Sequence, residues 1–140
     1  MSDRDSISPA CLLSAHLREK EALDGTNWQV TCGTLPSEGS RNICLYDTSG
    51  QIFAQSMHDG EVLQHYGIQV RVRAPNYPQG YEKARSLINY LVTLDQESII
   101  EDDLTYTASG VTITSSILSL GQGGPTGLPE FTFNLTVQIS

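Results

Sequence analysis

Basic side chains, cysteines and long apolar runs are all scarce in this 140-residue chain. Eight Lys and Arg stand against 16 Asp and Glu, leaving a net charge of −8. Such a balance excludes a surface that coats DNA or an anionic membrane, since both draw basic patches. It does not bar DNA from passing close by, where a negative wall would repel it. No stretch is apolar for long enough to span a bilayer as a helix. The first residues, MSDRDSIS, lack the basic-then-apolar pattern of an export signal. A cytosolic origin is the simplest expectation, and the sequon Asn134-Leu135-Thr136 then has no use.

The three cysteines, Cys11, Cys32 and Cys44, are odd in number and form no C-x-x-C. Cys32 and Cys44 sit on two segments that read as a hairpin. The apolar pattern sets Val30 opposite Leu45 and Cys32 opposite Ile43, which turns Cys44 to the other face. No disulfide is expected, and the thiols read as small apolar side chains.

Reactive constellations are missing as well. The loop Gly121–Gly127 lacks the Lys-Ser/Thr of a phosphate cradle, and a strand follows it. His16, His58 and His65 show neither helical ligand spacing nor a neighbouring cysteine. There is no G-x-S-x-G elbow. The acids Glu97, Glu101, Asp102 and Asp103 lack calcium-loop spacing and read as a solvated connector. The expectation is therefore no catalytic residues, no metal and no cofactor.

What is present centres on Gly67 to Leu94. Ile68, Val70, Val72 and Ala74 alternate with Gln69, Arg71 and Arg73, the period of a strand. Pro75 and Pro78 stop it, and Pro78 also suits the first turn of a helix. From Tyr81 the apolar positions Tyr81, Ala84, Leu87, Ile88, Leu91 and Leu94 follow helical spacing. Glu82, Lys83, Arg85, Ser86 and Asn89 take the other side.

Upstream, Ser8-Pro9 predicts an N-cap and first helical residue. Leu12, Leu13, Ala15 and Leu17 give that helix its apolar side, and Asp24-Gly25 closes it. Strands are expected at Trp28–Cys32 and Asn42–Tyr46, with a turn at Asp47-Thr48-Ser49-Gly50. From Gln51 to Tyr66 periodicity is weak, with strand character only at Ile52-Phe53; a long excursion of this kind suits contact. Downstream, Val111 and Ile113 alternate with Thr112 and Thr114, and Ile117, Leu118 and Leu120 continue less regularly. Phe131, Phe133, Leu135, Val137 and Ile139 make the cleanest alternation. The fold class is α+β: a single domain over 1–140, with 1–5 frayed. Its mostly antiparallel twisted sheet carries an N-terminal helix and one long central helix.

Arg71 and Arg73 share one strand face. They can grip a carboxylate or phosphate, meet acidic residues of a neighbouring subunit, or stand in solvent. These readings stay open on the residues alone.

The ordered set of pieces resembles the tail terminator and minor capsid families of long-tailed bacteriophages. The matching pieces are the N-terminal helix, the segment around Leu35-Pro36 and Ile43–Gly50. Gly67–Arg73, Tyr77–Tyr81 leading into the helix, Leu120-Gly121 and Phe131–Leu135 follow. The likeness runs from about Ser8 to the end. It implies a non-enzymatic virion protein, assembled in the host cytoplasm, that forms a homohexameric ring. Such a ring caps the tail tube, ends its polymerisation and offers the head–tail joining surface. The implied partners are further copies, the tail tube protein and a head-completion or stopper protein of the neck. DNA would cross the lumen without specific binding, and no membrane is involved. Contact work falls to 47–62 and 121–128: Met57, His58, Asp59, Gln122, Gly123, Gly124 and Thr126, with Arg71 and Arg73. The alternatives are a head-completion protein on the portal side, a small α/β enzyme, or an anion-binding module.

Overall fold

The computed structural model describes residues 8–20, 28–35, 39–53, 63–101, 104–121 and 127–139; of these, side chains at 49–53, 63–65, 101 and 104 are not described. The elements in chain order are α1 (Pro9–Glu19), β1 (Gln29–Cys32), β2 (Asn42–Phe53), β3 (Leu63–Arg73), α2 (Tyr77–Leu91), β4 (Glu97–Glu101), β5 (Leu104–Ile113), β6 (Leu118–Gly121) and β7 (Glu130–Ile139). The strands form one sheet in the order β1-β2-β3-β7-β5-β4, with β6 also paired to β7.

The centre follows from alternation. Ile43 and Leu45 of β2, Ile68, Val70 and Val72 of β3, and Phe133, Leu135 and Val137 of β7 are buried together. Leu12, Leu13 and Leu17 of α1 and Ala84, Leu87, Ile88 and Leu91 of α2 join the same core. Both helices therefore cover one face of the sheet. Ser8 caps α1 as its spacing predicts, its hydroxyl accepting from the Cys11 N–H at 3.1 Å. The Asp47 carboxylate accepts from the Ala10 N–H at 2.9 Å and from the Ser8 hydroxyl. A negative charge beside the positive end of the helix dipole fixes α1 on the sheet. Asp47–Gly50 is thus no turn. It lies inside β2, which runs on to Phe53 across an irregularity between Thr48 and Gln51. The helices also touch each other through His16 Nε2 and the Tyr90 hydroxyl, 2.6 Å apart. Burial pushes His16 below and Tyr90 above their ordinary values. Both are therefore neutral around pH 7.

Five further expectations change. The first strand pair is parallel, not a hairpin: Val30 faces Ile43 and Cys32 faces Leu45. Alternation assigns faces and carries no direction, so Val30 is buried in either arrangement. A disulfide joins Cys11 to Cys32, with Cα atoms 5.1 Å apart, and Cys44 is the buried free thiol. The spacing argument weighed only neighbours on the supposed hairpin, whereas α1 brings Cys11 onto the end of β1. The acidic connector contains a strand, β4, whose Ile99 packs opposite Tyr106 of β5. The long excursion is shorter than its sequence suggests, because β3 begins at Leu63. Helix α2 starts at Tyr77, with Pro78 in its first turn as expected. Asn76 is its N-cap, its side chain accepting from the Gln79 N–H at 3.0 Å. Lys83, assigned to the solvent side, is buried, with its ammonium 5.0 Å from the centre of the Trp28 ring.

Gly80 sets how closely α2 approaches the sheet. A Cβ there would stand 2.4 Å from the Phe131 ring. We expect Gly80→Ala to lower stability by about 1–3 kcal/mol, measured by urea unfolding; an unchanged midpoint would refute the close approach. Alkylation in denaturant should label one thiol without reductant and three with it. Three labels without reductant would show that the Cys11–Cys32 bond is absent.

Candidate interaction surface

The sheet face without helices carries the polar positions of the same strands. Registers place them in rows. Asn42, Arg73 and Glu130 form one, Cys44, Arg71 and Thr132 the next, and Tyr46, Gln69 and Asn134 a third. The first row is closed to solvent. Arg73 is 2% exposed, its Nε lies 3.3 Å from Glu130 Oε2, and its Nη1 donates to Asn42 Oδ1 at 3.2 Å. A guanidinium buried this deeply must be held by charge and hydrogen bonds within the chain. Arg73 therefore braces three strands.

Arg71, two residues back, is half-buried. Its guanidinium carbon lies 5.7 Å from the centre of the Tyr46 ring. Burial, and then a hydrogen bond with the Cys44 thiol, pushes the Tyr46 phenol above its ordinary value, with Arg71 acting in the opposite sense. Arg71 Nε and Asn134 Oδ1 are buried without hydrogen-bond partners among the described residues. The two predicted arginines thus share a face but differ in access: Arg73 is enclosed, and Arg71 keeps one side to solvent.

The sheet margins are the other accessible feature. On one margin β1 covers β2 only from Asn42 to Leu45, leaving the remainder of β2 without a described partner on that side. On the other, β4 covers β5 only from Leu104 to Ala108. Ser109–Ile113 and β6 pair with β7 on one side and face no described strand on the other. Every residue of β6 is exposed. Exposed apolar side chains lie near this margin on both faces of the sheet. Tyr77 and Tyr81 meet the Phe131 ring edge-on at 4.8 and 6.3 Å. Phe131 in turn pairs with Ser119 of β6, which also carries the exposed Leu118 and Leu120.

Met57, His58 and Asp59, and Gln122, Gly123, Gly124 and Thr126, fall outside the described residues. The exposed Tyr77, Tyr81, Leu118 and Leu120 were not singled out from the sequence. Tyr81 matched the buried helix spacing, and the irregular Ile117–Leu120 pattern was the available signal of an exposed strand.

The buried row makes a stability prediction. Glu130→Leu alone should destabilise by about 3 kcal/mol by stranding the Arg73 charge. Adding Arg73→Met should recover part of that loss in urea unfolding. A double variant at the sum of the singles would show no coupling.

A family model described as "Bacteriophage tail terminator protein" matches residues 16–140. No curated protein matches the sequence. A solved structure with 11% sequence identity superposes at a TM-score of 0.54, over 92% of this chain and 91% of its own. That likeness shows a shared fold.

Proposed function

The chain belongs to the bacteriophage tail terminator family, and from that premise we propose that it forms a homohexameric ring on the finished tail tube, ends tube polymerisation and presents the surface to which the filled head joins. As a member of that family it is a structural component of the virion tail. The observation that carries the reading is the family match across residues 16–140. A tube of stacked rings grows because the top of each ring fits the bottom of the next, a heterologous contact that never closes. A terminator matches the tube on one face and differs on the other. Its partners are then further copies of itself, the tail tube protein and a neck protein on the head side.

Two features support this reading. Work by contact requires accessible surface, and the open margins with Tyr77, Tyr81, Leu118 and Leu120 supply it. A net charge of −8 suits a ring through which DNA passes without adhering. The segments containing Met57–Asp59 and Gln122–Thr126 are the proposed contact loops, since loops vary freely on a fixed sheet.

Phage lacking this protein should yield tails of uneven, excess length and capsids without tails. Negative-stain images of purified tubes should show one end capped when the protein is added. Uniform tails joined to heads in its absence would overturn the proposal.

A further inference from the structure

Strand β1 is four residues long, ends the sheet on its side and pairs with β2 alone among the described strands. Natural sheets protect such an edge by covering it, often with a helix. Here the cover is α1. Arg18 Nη1 donates to the Val30 carbonyl at 3.1 Å. The Ser14 hydroxyl lies between the Ala10 and Thr31 carbonyls, at 2.8 and 3.2 Å. Cys11 is bonded to Cys32. Three consecutive residues of β1 thus meet α1 at positions 18, 14 and 11, one contact for each helical turn. They form a seam along one side of the helix. Two of its fastenings are hydrogen bonds, and the third is covalent.

Only the covalent fastening depends on the redox state of the surroundings. A bacterial cytoplasm keeps thiols reduced, whereas disulfides persist outside the cell. Cys11 and Cys32 are half-buried, while Cys44 is fully buried. A small oxidant or reductant can therefore reach the pair and not the third thiol. Helix α1 does not need the bond to find its place. Leu12, Leu13 and Leu17 enter the core, the Asp47 carboxylate accepts from the Ala10 N–H, and His16 meets Tyr90. These contacts hold the two cysteines with Cα atoms 5.1 Å apart, inside the span that a disulfide bridges. The chain can thus fold with the pair reduced and close the seam afterwards without rearranging its backbone.

We propose that the seam between α1 and β1 is a redox-operated clamp: open as two thiols while the protein assembles inside the host cell, and closed as the Cys11–Cys32 bond once the virion is released. This rests on the reading of the chain as a tail component made in a bacterium. Closing needs an oxidant, and a small-molecule disulfide supplies it. One cysteine, as the thiolate, attacks that disulfide, forming a mixed disulfide and expelling one small thiolate. The second cysteine, as the thiolate, then displaces the other, and the Cys11–Cys32 bond forms. Each cysteine gives up one proton and each departing thiolate takes one. Two electrons pass from the pair to the small disulfide, which leaves as two thiols. Cross-linking residues 21 apart restricts the unfolded chain, so the closed clamp resists unfolding more than the open one.

Purified protein, first reduced and then treated with oxidised glutathione, should pass from three alkylatable thiols to one. Its urea midpoint should rise by about 1–2 M. Cys11→Ser/Cys32→Ser should show no such rise, and Cys44→Ser should show all of it. An unchanged midpoint in the unsubstituted protein would overturn the clamp. In infected cells, alkylation before lysis should trap three thiols per chain, and alkylation of released virions should trap one. One label before lysis, or three after release, would overturn the timing on which the proposal stands. Released virions should lose their tails at a lower urea concentration in the presence of reductant, and equal durability would count against the clamp. That comparison needs no substitution, so it holds even where the double variant folds poorly. Tail length in phage lacking the protein tests the terminator reading, and the thiol counts on purified protein do not depend on it.

Discussion

The fold depends on β3 lying between β2 and β7 with apolar side chains on one side and polar side chains on the other. Val70 and Val72 project into the core beneath the helices, while Arg71 and Arg73 project away from it. Burying one face of a strand is routine. Here the polar side is also buried at one end, and an arginine there needs a fixed counter-charge. Glu130 on β7 and Asn42 on β2 supply the partners, so the hydrogen bonds of Arg73 span the same three strands that the core spans. A slip of one residue in either ladder would expose Val72 and separate this network at once. Register is thereby specified from both faces.

The helices are seated by contacts that tolerate little variation. The Asp47 carboxylate holds the start of α1, the Cys11–Cys32 bond holds its first turn to β1, and Gly80 lets α2 lie against Phe131. These contacts leave parts of both margins uncovered. A protein that works by assembly needs a rigid centre and unsatisfied borders, and those borders carry its exposed strand β6 and the exposed Tyr77 and Tyr81. The family places this arrangement in a phage tail.

Much of the fold was legible because it is written in local periodicity. The alternation through β3 and β7, the Ser8-Pro9 start of α1 and the apolar stripe of α2 all depend on residues a few positions apart. The family resemblance followed from the order of these pieces. Of the candidate surface, Arg71 was named correctly as a residue on the polar face. Tyr81 was hidden by its helical spacing, and β4 by its acidic ends. Lys83 reads as solvated until Trp28 is found beneath its ammonium.

The amino-acid order by itself determined which face each strand residue occupies and where the helices begin. Tertiary structure alone decided that β1 runs parallel to β2, that Cys11 meets Cys32, and that Arg73 is enclosed while Arg71 is not. The physical reason is that a period of two is the same for parallel and antiparallel strands and for buried and exposed polar rows. Direction, partner and burial are set by residues distant in the chain, and they exist only once the sheet has closed around them.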